Sequence, residues 1–324
     1  MNPPRYSVLV VGFRSQEFIV DCIGSLLSDP RPDLEVLFLD NASPQPEAEL
    51  VRKTFGADHR LRVLESPSNL FFAGGMDFLA EQALGDILVL VNPDSRCGPG
   101  FFDALDAHDA QSPLQVAMGE LRRLDKPDEI QSAGILVNRL GLVLQLPRGG
   151  PLRRRTIFGA NGACFLVRAD LFASLGGFDR SFEMYFEETD FCWRAWLAGH
   201  RVEFLPGVVL FHAEGGSSQG GNDRRQYRFC RNRMASLARN LDVLDLPWVL
   251  PLHVGAVLLF ALTSALRGRS GQALGTFRGI LAGLTRVPRI LATRRPTLDR
   301  PNRHLRKLGV QPGPLTLRVP FSHA

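Results

Sequence analysis

The sequence predicts an α/β fold with a mainly parallel central sheet, and two observations point to it. Ile87 to Val91 is an unbroken apolar run rich in branched residues, which suits a strand covered by helices on both faces. Before it, short apolar runs alternate with segments of helical periodicity, as is typical of doubly wound sheets. With 324 residues, 45% of them hydrophobic, the chain is long enough for one large domain or two smaller ones.

The first part of the chain contains the alternating elements in order. Each strand is a short apolar run, and each helix repeats apolar residues at helical spacing, as in Phe18, Ile19, Cys22 and Ile23. The predicted elements are strand 6–11, helix 17–27, strand 33–39, helix 47–55, strand 61–65, helix 76–84 and strand 87–91. Their order predicts parallel strands joined by helices, whose carboxyl ends lie at one edge of the sheet.

The turn after strand 87–91 places an acid at that edge. Asn92 and Pro93 end the strand, because proline removes a hydrogen-bond donor and fixes φ, so Asp94 follows the strand directly. Ligands bind at this edge in open α/β sheets, and an aspartate there is suited to hold a divalent cation against nucleotide phosphates. For this stretch alone, a solvated Asn-Pro-Asp turn is the more common explanation.

Two further stretches near this edge have both a binding and a structural explanation. Asp40 ends a predicted strand, where a carboxylate can accept hydrogen bonds from a base or ribose, but it also suits an Asx turn or a helix N-cap. Gly74 and Gly75 precede the predicted helix 76–84, where they would let a ligand approach the backbone and leave N–H groups free. Neither a P-loop nor a G-x-G-x-x-G fingerprint occurs in the chain.

The middle of the chain has shorter elements. Residues 101–110 form a predicted helix, and residues 115–146 alternate apolar runs with turns, which predicts antiparallel strands or ribbons. A glycine-containing turn then leads into a strand ending near residue 167. A short helix at 170–175 follows, and a strand is predicted at 202–205.

Three acids crowd the start of a later helix. Glu187, Glu188 and Asp190 fall within four positions, and the helix dipole favours acids there, which is the structural explanation. The catalytic explanation is that one of them is a general base whose pKa is raised by neighbouring carboxylates. His212 ends a later apolar run, and it becomes a candidate metal ligand only if a partner such as Asp94 lies beside it.

Composition excludes several classes of protein. The five cysteines are scattered without a C-x-x-C pair, so they indicate neither a disulfide framework nor a zinc site and fit a reducing compartment. The N-terminus leads into a strand without an apolar signal region, which predicts a cytoplasmic protein. Residues 267–307 hold eleven lysines and arginines and one acid, Asp299, so a basic tail on a near-neutral body predicts an anionic partner, membrane or nucleic acid.

The composition changes near residue 240, which predicts a globular domain over 1–240 and a helical, basic region over 241–324. Residues 248–266 contain no Asp, Glu, Lys or Arg and are borderline for a bilayer span, while Pro247 and Pro251 predict a later helix start. Residues 271–291 form a predicted amphipathic helix that suits a membrane interface. A hairpin capping the domain or a dimer interface is the alternative, and residues 291–324 are predicted to be loosely ordered.

The order of the motifs is more specific than any one of them. From Ser7 to Arg233 the chain carries, in sequence, Gly-Phe-Arg-Ser, Asp-Asn-Ala-Ser, Asn-x-x-Phe-Ala-Gly-Gly, Asn-Pro-Asp, Gly-Ala-Cys, Gly-Gly-Phe-Asp, Tyr-Phe-Glu-Glu-x-Asp-Phe-Cys-x-Arg and His-x-x-Gly-Gly-Ser. This series resembles the inverting glycosyltransferases of family 2, especially their bacterial rhamnosyltransferase-like branch. The resemblance implies a GT-A fold, a nucleotide-sugar donor and a divalent metal, Mg²⁺ or Mn²⁺.

The resemblance also implies roles for single residues. Asp94 looks like the metal-binding acid of the family's Asp-x-Asp motif, and His212 looks like the second protein ligand. Glu188 stands where the family usually has an aspartate as catalytic base, with Glu187 and Asp190 orienting the acceptor or raising the pKa of the base. The residues for which the resemblance implies contact with the donor are Phe13, Asp40, Asn41, Asn69, Gly74, Gly75, Asn92 and Asp94.

Three positions depart from the family pattern. Phe13-Arg14-Ser15 replaces the usual Tyr-Asn-Ser turn, Asp77 stands where asparagine is usual, and Glu188 replaces the aspartate. The implied reaction is a single displacement in which a metal and helix-terminal N–H groups stabilise the leaving diphosphate. The base deprotonates the acceptor hydroxyl, which attacks the anomeric carbon from the opposite face.

The implied partners are a nucleotide sugar, with dTDP-rhamnose as a candidate, and a lipid-linked or polysaccharide acceptor in cell-envelope glycan synthesis. The basic, amphipathic C-terminal region predicts attachment to the membrane surface at the inner face of the cell membrane, and no nucleic-acid partner is expected. Two alternatives stay open. A nucleotidyltransferase would need a longer basic triphosphate loop after the first strand, and a nucleic-acid-binding protein would leave the acids at 187–190 and His212 without a role.

Overall fold

The computed structural model describes residues 3–138, 142–146, 153–213 and 222–294. Its centre is a ten-stranded sheet, and a separate two-stranded hairpin lies beside it. Three stretches singled out in the sequence fall outside the described residues: the loop at 147–151, the glycines and serine at 215–217, and the tail at 295–324.

The first half of the chain follows the predicted alternation. Its elements are β1 (Tyr6–Gly12), α1 (Gln16–Leu27), β2 (Leu34–Asp40), α2 (Glu47–Phe55), β3 (Leu61–Glu65), α3 (Phe71–Gln82) and β4 (Ile87–Val91). Strands β1, β2 and β4 are buried at every residue, because the sheet is covered on both faces. Strand β1 pairs in parallel with both β2 and β4, and β3 pairs in parallel with β2.

The middle of the chain completes the sheet. Its elements are β5 (Ser95–Cys97), α4 (Phe101–Gln111), β6 (Val116–Arg123), β7 (Ile130–Ser132), β8 (Ile135–Val137), β9 (Val143–Gln145), β10 (Arg155–Thr156), β11 (Cys164–Arg168), α5 (Ala169–Ser174), a 3₁₀ turn (Arg180–Phe182), α6 (Glu187–Leu197) and β12 (Val202–His212). The strand order is β10-β12-β6-β11-β4-β1-β2-β3. The predicted antiparallel ribbons exist as β7 on β6 and as the β8–β9 hairpin, but β6 also pairs in parallel with β12 inside the main sheet.

Strand β12 is longer than predicted. The strand was predicted at 202–205 with a separate apolar run after Pro206, but it continues to His212 with a register shift between Phe204 and Val209. A bulge accommodates the proline, because the residues inside the bulge leave the hydrogen-bonding ladder. Gly207 adopts φ +82° there, a left-handed conformation that favours glycine. The continued strand delivers His212 to the carboxyl edge of the sheet.

Residues 222–294, the described C-terminal part, form three helices: α7 (Asn222–Asn240), α8 (Leu246–Leu266) and α9 (Ser270–Thr293). The prediction that α8 begins after its prolines is wrong, because the helix contains both Pro247 and Pro251. Pro247 lies in the first turn, where a missing N–H breaks no helical bond, and Pro251 removes only a bond close to that end. Within the described ranges, α8 is the one helix long and apolar enough to cross a membrane.

Helix α9 packs closely along α7 through a row of glycines. A Cβ at Gly275 would lie 2.1 Å from the carbonyl oxygen of Asp223, and a Cβ at Gly279 would lie 2.5 Å from that of Tyr227. At Gly283 the nearest atom would be in Met234, at 2.8 Å. One face of α9 therefore caps the globular part, as the hairpin alternative expected, and the domain boundary near residue 240 stays a prediction.

Candidate functional site

The candidate residues lie at the carboxyl edge of the parallel strands. Gly12 at the end of β1 is paired with Asp40 at the end of β2, and Val10 is paired with Val91 at the end of β4. Asn92 to Asp94 follow directly. Strand β11 runs antiparallel to β4 with Cys164 opposite Val91, so the turn before β11 comes to the same edge. This is the edge at which open α/β sheets bind ligands.

Asp94 and His212 meet there because β5 pairs antiparallel with β12. Ser95 is opposite His212 in that pair, and the N–H of Ala213 donates to the carbonyl oxygen of Asp94 at 2.9 Å. The Nε2 atom of His212 lies 3.4 Å from Oδ1 of Asp94, whose side chain is 1% exposed. The sequence made His212 a candidate metal ligand only if a residue such as Asp94 lies beside it, and in the structure Asp94 does.

The hydrogen bonds of His212 define which of its nitrogens faces Asp94. Nδ1 donates to Oε1 of Gln131 on β7 at 3.0 Å, while Nε2 accepts from Nδ2 of Asn92 at 3.4 Å. With Nδ1 held by Gln131, Nε2 is the nitrogen beside the buried Asp94 carboxylate, and a metal bound to Nε2 would replace the hydrogen bond from Asn92; this is the arrangement of a metal-ligating histidine held by an outer partner. Sequence reasoning missed Gln131, because no local pattern distinguishes it from any polar residue in a short strand.

The pair fits a divalent cation by its chemistry and spacing. A carboxylate oxygen and an imidazole nitrogen are both ligands of Mn²⁺, and carboxylate oxygen is a ligand of Mg²⁺. Adjacent ligands of an octahedral ion of this size lie about 3 Å apart, close to the 3.4 Å between Oδ1 and Nε2. Among the described residues, no group of three or more His, Cys, Asp or Glu side chains could hold a metal, so other ligands would come from phosphate oxygens and water.

Glu188 lies in the first turn of α6. Its side chain is half-buried, and the Cβ position of Gly162, in the turn before β11, is 3.9 Å from its Cγ. Burial raises the pKa of Glu188 to about 7, against the opposing effect of backbone N–H groups and the Thr189 hydroxyl. The sequence predicted that neighbouring carboxylates raise this pKa, but desolvation of the side chain is the largest cause. A carboxyl group with a pKa near neutrality is suited to general-base catalysis.

Glu187 differs from its neighbour in environment. It is 4% exposed, and its Oε2 has no hydrogen-bond partner in the described part of the chain. Burial, and then the charge of Glu188, raise the pKa of Glu187 well above its usual range. Both carboxyl groups therefore have raised pKa values, and Glu188, the less buried of the two, is the candidate for accepting a proton.

Asp190 faces away from this turn and corrects an expectation. It is fully buried, and its Oδ2 is 2.9 Å from Nε of Arg194 and 3.3 Å from Nη1 of Arg239. Its Oδ1 accepts from Asn240 at 2.8 Å. Asp190 thus joins α6 to α7, and its position does not support the expected role of orienting the acceptor.

The expected donor-binding residues of the first loops are engaged locally. The two oxygens of Asp40 accept from the N–H groups of Ser43 and Ala48, at 2.9 and 3.0 Å, which is the turn and cap role that the sequence offered as the alternative. The side-chain amide of Asn41 donates to Oδ1 of Asn69 at 3.2 Å and accepts from the N–H of Leu70 at 2.8 Å. Their contact with a donor stays a prediction.

Helix α3 begins at Phe71, five residues before its predicted start, so Gly74 and Gly75 lie inside the helix. A Cβ at Gly75 would lie 3.0 Å from Val11, so this glycine lets α3 pack on β1. The N–H groups of Phe71 and Ala73 donate to Asn69 and to the carbonyl oxygen of Glu183. The expectation of free N–H groups for a diphosphate is therefore wrong at these positions.

The turn after β1 is held by a residue that sequence reasoning missed. The N–H and hydroxyl of Ser15 both donate to the buried carboxylate of Glu47, the second at 2.8 Å. Phe13 is half-buried, and the guanidinium of Arg14 lies 5.4 Å from the centre of its ring.

Asp77, which stands where the family usually has asparagine, has a structural role. Its Oδ1 accepts from the N–H of Phe178 at 2.8 Å and connects α3 to the Gly-Gly-Phe turn.

Comparison with known proteins gives a consistent family. The profile described as Glycosyl transferase family 2 matches residues 7–176. The O-antigen biosynthesis protein RfbC of Myxococcus xanthus is 27% identical over 227 residues, which are 66% of this chain and 18% of that protein. The N-acetylglucosaminyl-diphospho-decaprenol L-rhamnosyltransferase of Mycobacterium tuberculosis is 27% identical over 215 residues, covering 57% of this chain and 68% of that protein. The chain thus spans about a fifth of the first relative and two thirds of the second.

A solved structure shows the same fold. The mannosyltransferase PcManGT from Pyrobaculum calidifontis, in complex with GDP-Man and Mn²⁺, superposes with a TM-score of 0.56 at 17% identity. The match covers 89% of this chain and 88% of that one. Together with the mainly parallel sheet and the family match over more than half of the residues, this shows that the chain is a GT-A protein and belongs to glycosyltransferase family 2.

Proposed function

We propose that the chain transfers a sugar from a nucleotide-diphosphate donor to an acceptor hydroxyl in one inverting, metal-dependent step. The observation that carries this proposal is the pair of sites at one edge of the sheet. Glu188 has a pKa near neutrality at the head of α6, and Asp94 and His212 place an oxygen and a nitrogen ligand 3.4 Å apart. The first can accept a proton and the second can hold a cation, which are the two requirements of the reaction.

Glu188 and Glu187 have different parts in the proposed reaction. Glu188 accepts the proton of the acceptor hydroxyl while that oxygen attacks the anomeric carbon, and the bond to the diphosphate breaks on the opposite face. Glu187, buried beside Glu188, excludes water from the start of α6.

A divalent ion would be held by Asp94 and by Nε2 of His212, with Gln131 fixing the imidazole through Nδ1. When bound, Mg²⁺ or Mn²⁺ neutralises the charge that develops on the leaving diphosphate. The complex of the mannosyltransferase neighbour with Mn²⁺ supports a metal of this class.

The proposed donor is dTDP-rhamnose, and the proposed acceptor is a sugar on a lipid diphosphate. Support comes from the printed names of two relatives, one an O-antigen biosynthesis protein and the other a rhamnosyltransferase acting on a diphospho-decaprenol. The chain would then work in cell-envelope glycan synthesis.

The direct test is the stereochemistry of the product. Purified full-length protein is incubated with dTDP-β-L-rhamnose, Mn²⁺ and a short prenyl-diphospho-N-acetylglucosamine, and the product is analysed by NMR. A single new α-linked rhamnose is the expected result, because one displacement inverts the anomeric centre. A β-linked product would contradict the single displacement, and consumption of another nucleotide sugar alone would redirect the donor assignment.

We further propose that α8 and α9 place the enzyme on the cytoplasmic face of the membrane. Large apolar side chains are exposed along α8, with Leu259 61%, Leu262 57% and Leu266 79% exposed, and α9 adds Leu274 and Phe277. Exposed arginines lie among them at 267, 269, 278 and 289. An apolar patch with a basic rim suits the headgroup boundary of an anionic bilayer, and only one described helix could span it.

Vesicle flotation tests this attachment. Wild-type protein should float with vesicles containing phosphatidylglycerol, and the double variant Leu259→Gln, Leu262→Gln should bind at least about tenfold more weakly, because it removes two apolar side chains from the contact. Leu84→Gln, which changes a leucine 64% exposed on the catalytic part, is the matched control and should bind as wild type. A wild type that stays unbound and dimerises through these helices would contradict the membrane assignment.

A further inference from the structure

The turn that precedes α6 holds an unusual backbone conformation. Glu183, Tyr185 and Phe186 have φ values of +65°, +72° and +78°. None of them is a glycine, and left-handed conformations are unfavourable for large side chains, so the surrounding structure must impose them. Glu187 and Glu188 follow immediately, and the direction of this turn therefore decides where the carboxyl group of Glu188 points.

One buried side chain on α7 binds three carbonyl groups of this turn. The amide nitrogen of Asn232 lies within hydrogen-bond distance of the carbonyl oxygens of Phe182, Met184 and Tyr185, at 2.8, 3.1 and 2.7 Å, so its two hydrogens are shared among three acceptors. Asn232 is 0% exposed, so no water replaces these bonds. Its own Oδ1 accepts from Nε of Arg231 at 2.9 Å, which fixes the orientation of the amide.

Other contacts hold Glu183, the first residue of the same turn. Arg228 and Arg231 on α7 donate to the two carboxylate oxygens of Glu183, at 2.6 and 3.1 Å. The carbonyl oxygen of Glu183 accepts from the N–H of Ala73 in α3 at 2.9 Å. The charged groups that face the turn are thus Glu187 on α6, Arg225, Arg228 and Arg231 on α7, and Arg286 on α9.

We propose that Asn232 is a positioning residue for the catalytic base: its hydrogen bonds to three carbonyl oxygens hold the left-handed turn at 183–186, which sets the position of Glu188 beside the turn that precedes β11. The inference rests on the proposed role of Glu188. It also gives α7 a function beyond packing, because the helix that carries Asn232 is the one against which α9 packs.

If Asn232 only stabilised the fold, its loss would have the same effects as the loss of Asn240. Asn240, on the same helix, is equally buried and also donates to α6, through Asp190, but it does not touch the turn. Loss of either asparagine should lower thermal stability. Only loss of Asn232 should change the environment of Glu188.

The test is a ¹³C NMR titration of the Glu188 carboxyl group in the full-length protein, assigned with Glu188→Gln. Wild type should titrate near pH 7, and Asn232→Ala should titrate lower by about one pH unit or more, because a relaxed turn hydrates the carboxyl group. Asn240→Ala should keep the wild-type midpoint. Glu183→Gln, at a side chain that reaches solvent, should move the midpoint in the same direction by less, and it provides the test if Asn232→Ala does not fold.

The results of this titration distinguish a failure of the positioning role from a failure of the base assignment. A folded Asn232→Ala variant with the wild-type midpoint would overturn the positioning role and leave the proposed function intact. If Asn232→Ala does not fold, a Glu183→Gln variant with the wild-type midpoint would do the same. A wild-type midpoint near 4.5, the ordinary value, would contradict the base assignment itself and the inference with it.

Discussion

Glu188→Gln should lower kcat by about 10²- to 10⁴-fold, the usual contribution of a positioned general base. Glutamine keeps the shape of the side chain but cannot accept the proton of the acceptor hydroxyl. Because the buried group is replaced by a neutral isostere, folding should be retained, and binding of the nucleotide sugar should change little. The measurement is the initial rate of sugar transfer together with donor affinity from calorimetry.

Glu81→Gln is the matched control for this substitution. Glu81 lies on α3, 60% exposed, and pairs with Arg180 away from the start of α6. Its variant should transfer sugar at the wild-type rate. A Glu188→Gln variant with normal kcat would show that another group removes the proton.

The same assignment predicts the pH dependence of the wild type. The base must be ionised, and burial raises the pKa of Glu188 to about 7 instead of 4.5. Activity should therefore be present above pH 7 and should fall about tenfold per pH unit below it. A profile that stays flat down to pH 5 would contradict an elevated pKa at the base.

Asp190→Asn should destabilise the protein by about 3 kcal/mol, because it leaves buried cationic partners without their carboxylate. Arg194 and Arg239 reach solvent in part, at 18% and 31%, which puts the effect at the lower end for a buried ion pair. Since Asp190 faces α7, kcat of the folded variant should stay near wild type. Chemical denaturation and initial rates measure the two effects.

Glu65→Gln is the control for the loss of an ion pair. Glu65 and Arg52 are about half exposed, and such surface pairs contribute little, so the free energy of unfolding should not change measurably. If Asp190→Asn instead kept its stability and lost kcat, Asp190 would belong to the reaction after all.

Local patterns were sufficient for the first half of the fold. The bounds of α2, β3 and β4 agree with the predicted ones, because helical spacing and apolar runs are local properties of the chain. The edge position of Asp94 followed from the same patterns, since a proline ends the strand before it. The pairing of Asp94 with His212 could only be stated as a condition, because β5 and β12 are far apart in sequence.

Most of the features that the sequence did not predict depend on contacts between distant segments of the chain. Gln131, Glu47 and Asn232 each act on a segment distant in the chain, and nothing in their own neighbourhood marks them. Asp190 was grouped with Glu187 and Glu188 by adjacency, but helical geometry turns it toward α7. Gly74 and Gly75 were placed before the helix as a site of close ligand approach, whereas they lie inside α3, and Gly75 gives α3 room to pack on β1.

Metal-dependent donor binding through Asp94 is the central claim, and a thermal-shift panel tests it most directly. UDP-, GDP- and dTDP-sugars are added to wild type and Asp94→Ala, with and without Mn²⁺ or Mg²⁺. One nucleotide sugar at about 100 times its Kd should stabilise the wild type by about 2.7 kcal/mol only with metal, and Asp94→Ala should lose that gain. If no nucleotide sugar stabilises the wild type with either metal, or if Asp94→Ala keeps the full gain, the claim is contradicted.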